Sequence, residues 1–337
     1  MIDRTQDEIV KAWQGDKAKP IVSIRCTTYN HEKYISQCLD GFLMQETTFP
    51  FEIVIHDDAS TDRTASIIRE YEKNYPCIIK PIYETENQYS KGNGELARIL
   101  NKHMQGKYIA LCEGDDYWCD AKKLQLQYDY LEKHPEAVMC AHNTQICDLT
   151  TGKITLFNHW NKEMYLCGMD VFRGWNVHLS SFFMRKSLLF IPKEFRYWFG
   201  DFVILTSAFA KGCIGYIPMV MSVYRLNNPD GITYNNSKVA IKKENERIEY
   251  LEKFNLATNK KFANIVTKVI QYNSILLNLP FEAVFSIKSY NEYRKVLSDN
   301  REGFNLFEEK QKIKMRIISS SYLLFVLANL YKVCKRR

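Results

Sequence analysis

Tyr108-Ile109-Ala110-Leu111-Cys112-Glu113-Gly114-Asp115-Asp116 is an apolar run that stops in three acids. The run reads as a buried strand, so the acids emerge at its carboxyl end. In open α/β sheets that edge is where ligands bind. Carboxylates clustered there repel one another unless a hard cation sits between them. Mg²⁺ and Mn²⁺ are held by one or two carboxylates plus substrate phosphates. The competing reading is a solvated acidic turn, because strand ends often finish in Asp and Gly.

A second acidic strand end decides between them. Phe51-Glu52-Ile53-Val54-Ile55 reads as a strand that ends in His56-Asp57-Asp58. Strand and helix patterns alternate from residue 20 to 134. Strands are expected near 21–28, 51–57, 78–83 and 107–112. Helices are expected near 31–43, 60–71, 94–103 and 122–134. This alternation predicts an α/β fold with a mixed, mainly parallel sheet flanked by helices. Both acidic pairs then fall on one sheet edge. Asn30 is expected to cap the first of these helices. No glycine-rich phosphate loop follows the first strand, so a nucleotide must be held by a metal and side chains.

Beyond residue 137 the pattern is α+β. A strand is expected over 177–184, a helix over 201–211 and a strand over 213–223. From 237 onward helical patterns dominate. The expected organisation is a lead-in over 1–19, a catalytic domain over 20–235 and a basic helical region over 236–337. The catalytic domain divides into a nucleotide-binding half (20–140) and an acceptor half (141–235).

The 337 residues are 46% hydrophobic and 25% charged, ordinary for a globular protein. No early apolar stretch with a basic flank is present, so no secretory leader is expected. The ten cysteines form no CxxC pair and no zinc spacing, which excludes a disulfide framework and suggests a reducing compartment. Net charge is +7 but uneven. Residues 237–337 hold 20 Lys+Arg against 10 Asp+Glu, leaving 26 against 29 for the remainder. The basic third implies an anionic partner. Its aromatics are not interleaved as in an RNA-binding motif, so nucleic acid is not expected.

The apolar tail over 317–331 has basic flanks, Lys312, Lys314 and Arg316 before it and Lys332, Lys335, Arg336 and Arg337 after. It falls short of the roughly 20 residues of a membrane span. An interfacial anchor over 312–337 is expected, at an anionic membrane surface. Packing into a homodimer through the C-terminal helices is the alternative.

The chain resembles the family 2 glycosyltransferases of the GT-A (Rossmann-like) fold. Four segments carry the resemblance: Thr27-Thr28-Tyr29-Asn30, Asp57-Asp58-Ala59-Ser60-Thr61-Asp62, Glu113-Gly114-Asp115-Asp116-Tyr117-Trp118 and Gly200-Asp201. It implies transfer of a sugar, with inversion, from a nucleotide diphosphate donor to an acceptor hydroxyl. A UDP-sugar is the favoured donor, because a carboxylate accepts from the imide N–H of a pyrimidine. The acceptor is a carbohydrate or a lipid-linked carbohydrate. The setting implied is cell-surface polysaccharide synthesis at the cytoplasmic face of the membrane. The alternative is a non-catalytic sugar-nucleotide or glycan-binding member of the same fold.

By resemblance, Thr27, Tyr29, Asp57 and Asp58 line the nucleobase pocket, and Arg98 lies near the nucleotide. Asp115 and Asp116 divide the ribose and the metal, Mn²⁺ or Mg²⁺, between them. Glu113 reaches the ribose or a metal-bound water. Asp201 is the catalytic base. Arg225, in Tyr224-Arg225, reaches the diphosphate, although the His expected next is replaced by Leu226-Asn227-Asn228. His178 and Trp198 line the acceptor side.

Overall fold

The computed structural model describes residues 2–174, 176–189, 200–229, 237–278 and 287–320, with Phe325 and Ala328. The chain forms two compact units, Met1–Asn235 and Asn236–Arg337.

The first unit is built on a ten-stranded sheet. Its strands are β1 (Val22–Thr28), β2 (Phe51–Asp57), β3 (Ile79–Tyr83), β4 (Tyr108–Glu113), β5 (Tyr117–Trp118), β6 (Ala137–Asp148), β7 (Ile154–Leu156), β8 (Met164–Tyr165), β9 (Phe183–Arg185) and β10 (Cys213–Leu226). Their order is β3-β2-β1-β4-β9-β6-β10-β5, with β7 on β6 and β8 on β10. β3, β2, β1 and β4 run parallel, as do β6 and β10. β9 lies antiparallel between β4 and β6.

The chain steps outward from β1 through β2 to β3, then returns to pair β4 with the other side of β1. The gap between β1 and β4 is therefore a topological switch point, where the loops above the sheet part to leave a crevice.

Helices α1 (Gln6–Lys11), α2 (Ile35–Leu43), α3 (Thr64–Asn74), α4 (Glu95–His103), α5 (Lys123–Lys133), α6 (Gly168–Phe172) and α7 (Gly200–Lys211) complete this unit. Alternate residues of the central strands, Val22, Ile24 and Cys26 with Tyr108, Ala110 and Cys112, form one core with Leu39 and Phe42 of α2, Ile68 of α3 and Leu124 and Leu131 of α5. Period-2 strands meet period-3.6 helices here, as the sequence pattern required. The opposite face carries Arg25, Thr27 and Glu113.

Two local expectations are corrected. The first helix begins at Ile35 after an uncapped Tyr34. Asn30 is instead a left-handed turn residue, φ 55°, whose Oδ1 accepts from the Thr61 amide at 2.8 Å. Asn tolerates that conformation better than most residues. The stretch 177–184 is not one strand. Leu179–Ser181 forms a 3₁₀ turn that His178 caps, and only Phe183–Arg185 joins the sheet. The buried Ser180 and Ser181 hydroxyls bond locally and across to β10, which competes with ladder pairing. The lead-in is helical over α1, and its Ile9 and Trp13 belong to the core.

The second unit comprises α8 (Ser237–Ala257), α9 (Ala263–Asn278), α10 (Ile287–Asp299), α11 (Arg301–Phe304) and α12 (Glu309–Ser320). Ile275, Tyr293, Phe307 and Phe325 form its core. Arg247 of α8 donates to Asn273 Oδ1 of α9 at 2.7 Å. Among the described residues no helix is long and apolar enough to cross a membrane. Most of the 317–331 tail lies outside the described residues.

Candidate active site

Register places both acidic strand ends against the end of β1. Thr27 pairs with Glu113 across β1–β4, and Thr28 with Asp57 across β1–β2. The chain then bonds across each junction: Gly114 N donates to Thr27 O at 2.9 Å, and Asp58 N to Thr28 O at 3.0 Å. Gly114 has no alternative residue. A Cβ there would stand 2.6 Å from Thr28 Oγ1 and 3.0 Å from His31 Nδ1.

Past Gly114 the chain turns into β5, which pairs antiparallel with β10, Trp118 facing Ser222 and Tyr117 facing Val223. That register brings Arg225 over the acidic turn. Its amide donates to Asp116 Oδ1 at 2.9 Å, and its guanidinium bonds Asp115 O and Gln37 Oε1. The guanidinium also lies near the Tyr34 and Tyr117 rings, at 4.9 and 4.6 Å. Arg225 is thus committed to holding the turn. Asn228, where the resemblance would place a region of divergence, donates to Asp115 Oδ2 at 3.1 Å.

Glu113, Asp115 and Asp116 each place a carboxylate oxygen within 4.8 Å of the others. Asp116 is 2% exposed. Burial, then repulsion from Asp115, pushes its carboxyl well above the usual range. Glu113 is exposed at the surface, and crowding by the atoms about it raises its carboxyl. Asp115 and Asp201 add to that rise, and Arg25 offsets part of it. No described residue hydrogen-bonds the Glu113 carboxylate. Three mutually repelling oxygens with few donors fit a hard divalent cation, since oxygen donors suit Mg²⁺ and Mn²⁺.

The other acidic end differs. Asp58 is 3% exposed, and its two oxygens accept from the Gln88 amide at 2.6 Å and the Tyr89 amide at 3.0 Å. It clamps the loop between β3 and α4. Asp57 accepts from the Ser60 hydroxyl, and burial raises its carboxyl. Ala59, directly after Asp58, takes φ 62°, a conformation that costs a non-glycine residue about 1 kcal/mol.

Thr27 is half-buried above the crevice and Tyr29 is 42% exposed, its ring open to a stacking partner. Asp201 stands in the first turn of α7, close enough to Glu113 and Tyr89 to raise the pKa of each. Arg98 is not drawn into the cluster: it pairs with Glu95 on the solvent face of α4. His178 lies on the Asp116 side, its Nε2 3.8 Å from Asp116 Oδ2 and its ring stacked 4.3 Å from Tyr224. Burial lowers its imidazole to about 3, so it is neutral. Trp198 lies outside the described residues.

Three contributors escaped the sequence reading. His31 places Nε2 4.0 Å from Asp115 Oδ2. Gln37 holds Arg225, as above. Arg25 interrupts the apolar run of β1 and stands beside Glu113; desolvation depresses its guanidinium. A lone Arg in the strand Ile21–Cys26 was the available signal.

Comparison with known proteins agrees with this geometry. Residues 23–189 match the model of glycosyl transferase family 2. An uncharacterised protein of Mycobacterium tuberculosis is 46% identical over 125 residues, 37% of this chain and 35% of that protein. The match therefore spans about a third of the relative's length. An uncharacterised glycosyltransferase of Haemophilus influenzae is 25% identical over 318 residues, covering 88% of this chain and 95% of its own. The fold is that of Staphylococcus aureus TarS residues 1–349 in complex with UDP-GlcNAc, with TM-score 0.56, 17% identity and coverage of 92% and 89%. It is equally that of the mannosyltransferase PcManGT of Pyrobaculum calidifontis with GDP-Man and Mn²⁺, with TM-score 0.52, 15% identity and coverage of 95% and 88%. With its GT-A sheet, its paired acidic strand ends and the match over residues 23–189, this chain belongs to glycosyl transferase family 2.

Proposed function

We propose that the protein is a metal-dependent, inverting glycosyltransferase that moves a sugar from a nucleoside diphosphate to an acceptor hydroxyl. The observation that carries this reading is the trio of carboxylates at the β1/β4 switch point. Asp115 and Asp116 would hold Mn²⁺ or Mg²⁺, with Glu113 on the ribose or a metal-bound water. The cation supplies charge stabilisation to the departing diphosphate.

The chain's own groups do the rest. Tyr29 offers its exposed ring to the nucleobase, beside Thr27, Asp57 and Asp58. Asp58 also sets the wall of that pocket through the Gln88 and Tyr89 amides. Arg225 acts on the nucleotide indirectly, by fixing the Asp115–Asp116 turn, and Arg98 is left to meet phosphate or base only if α4 shifts toward the site.

Asp201 is the proposed base. Inversion needs one in-line displacement, so the proton must leave the acceptor hydroxyl on the side opposite the leaving group. The position of Asp201 on a separate element, α7, within electrostatic reach of Glu113 supports this reading.

UDP-sugars are the favoured donors. The TarS complex contains UDP-GlcNAc and the PcManGT complex GDP-Man, so a test must include both bases. The acceptor is a carbohydrate or lipid-linked carbohydrate, in polysaccharide or glycolipid synthesis. The proposed setting is an anionic membrane surface on the cytoplasmic side, which the basic charge of residues 237–337 supports, with a helical homodimer as the competing use of those helices.

A screen of UDP-, GDP- and dTDP-sugars for hydrolysis with Mn²⁺ or Mg²⁺ needs no acceptor. Metal-dependent release of nucleoside diphosphate is expected from at least one donor. Asp201→Asn should keep nucleotide binding and lose transfer by about 10²-fold or more. Full turnover in that variant contradicts the base assignment, and no hydrolysis of any donor contradicts the whole reading.

A further inference from the structure

We propose that a cavity around Trp160 binds a further sugar of the acceptor glycan, one beyond the unit that receives the transferred sugar. The inference deepens the acceptor side of the reading above and rests on it. Three features of the structure support it.

The first is the chemistry of the lining. Trp160, Met169, Asp170, Arg173 and Asn176 line a cavity of about 410 Å³, a volume in the range of small-molecule sites. The lining joins one broad aromatic ring to polar groups of both hydrogen-bonding senses. Asn176 Oδ1 receives no hydrogen bond among the described residues, and the Trp160 indole N–H gives none. A pyranose matches what these leave open. Its C–H face packs on an indole, and its hydroxyls donate to an amide oxygen and accept from an N–H. Other ligand classes fit less well. The Asp170 carboxylate repels a phosphate. A lipid chain would strip water from Asp170 and Asn176 without replacing its hydrogen bonds.

The second is that the lining is held in advance, with Asn158 as the hub. Asn158 Oδ1 accepts from the Trp160 amide at 3.1 Å and from the Tyr216 hydroxyl at 2.8 Å, and its Nδ2 donates to Asn176 O at 3.0 Å. Asn143 of β6 donates through Nδ2 to Asn158 O at 3.0 Å. Asn176 Nδ2 donates to Asp170 O at 2.7 Å, and Asp170 Oδ2 accepts from the Cys167 amide at 2.8 Å. The buried Tyr216 ring also meets the Trp160 ring nearly at right angles, with centroids 5.1 Å apart. The segments 157–160 and 170–176 are thereby tied to each other and to the sheet. A site fixed before its ligand arrives loses less on binding.

The third is its place. Phe157 packs on the His178 ring, with centroids 5.5 Å apart, and His178 Nε2 lies 3.8 Å from Asp116 Oδ2. Asn158 and Trp160 follow Phe157 on the same segment. A glycan whose end meets the acids would therefore lay an earlier sugar along this segment, against Trp160.

An array of neutral, amino-sugar and uronic-acid oligosaccharides, probed with the full chain in Mn²⁺ and UDP, tests this. The wild type should bind at least one class. Trp160→Ala should weaken that binding by about 30-fold or more, the scale of losing a tryptophan anchor. Trp160→Phe keeps a ring without the N–H and should fall between the two. Thermal melting of each variant separates loss of the site from loss of the fold. Undiminished affinity in a folded Trp160→Ala, or in Trp160→Phe should the alanine variant not fold, overturns this inference and leaves the transferase reading standing. So does a wild type that hydrolyses a donor yet binds no oligosaccharide. No donor hydrolysis by the wild type overturns both.

Discussion

Two strands of the same sheet end in paired acids on either side of β1, and the protein treats them in opposite ways. At β2 the charge is spent inside the fold. Asp58 takes two backbone amides and Asp57 a hydroxyl. At β4 the acids face one another with little help. Asp116 has one amide, Asp115 one side-chain amide, and Glu113 no hydrogen bond among the described residues.

Cations stand close to β4 but are used elsewhere. Arg225 bonds the Asp115 carbonyl and Gln37 rather than a carboxylate. Lys123, fully buried, bonds Gln127 at 2.7 Å and lies 3.9 Å over the Trp118 ring. A fold that leaves three carboxylates this close forgoes stability there. The difference teaches that an acidic strand end signals a ligand only when the fold withholds its own donors from it.

The largest effect should come from breaking the β4 end. Asp116→Asn should abolish Mn²⁺ binding and lower transfer by about 10³-fold or more, the scale of losing the main charge stabilisation of a leaving group. Calorimetry with Mn²⁺ and a donor-hydrolysis assay read the two losses.

Gly114→Ala is next, and it attacks the junction of β1 and β4 without touching a carboxylate. Relief of the 2.6 Å clash with Thr28 requires the acidic turn to move away from β1. Overpacking of this kind costs about 1–3 kcal/mol. Urea unfolding should show that loss, and Mn²⁺ affinity should fall with it.

Asp58→Asn sharpens the contrast. It exchanges a carboxylate for an amide at two backbone donors, and bonds to a charged acceptor are worth about 1.5–3 kcal/mol. Stability should drop by about 2 kcal/mol, with faster amide exchange at Gln88 and Tyr89. Mn²⁺ affinity should be nearly unchanged.

The smallest effect is a slope. Burial drives the Lys123 ammonium down to about 7, while the unfolded chain holds its proton to about 10. Between those values the unfolded state carries the extra proton, so stability rises with pH there, by at most about 1.4 kcal/mol per unit. Lys123→Met should remove that slope from urea midpoints measured between pH 7 and 9.

Much of this was legible beforehand. The alternation of 3.6- and 2-period patterns gives the strands and helices from β1 to α5 apart from the two-residue β5, because local periodicity reports which face is buried. The acidic strand ends and Asp201 were visible as residue types in sequence. Their differing treatment was not. Gln88 and Tyr89 reach Asp58 from 30 and 31 residues away, and Arg225 reaches the acidic turn across 109. Such long-range bonds leave no periodic trace. The 177–184 stretch misled for a related reason: its apolar residues resemble a strand, but hydroxyl bonds from Ser180 and Ser181 curl it into a turn that carries His178 to Asp116. The resemblance assigns Arg225 to the diphosphate; its bonds to Gln37 and the Asp115 carbonyl had no trace in the sequence.

The central claim is that the β4 end holds a cation and the β2 end does not. Calorimetric titration of Mn²⁺ into the full chain, its Asp116→Asn variant and its Asp58→Asn variant tests it most directly. Binding to the wild type and to Asp58→Asn, with none to Asp116→Asn, is the result predicted. Equal loss in both variants, or undiminished binding to Asp116→Asn, would contradict it.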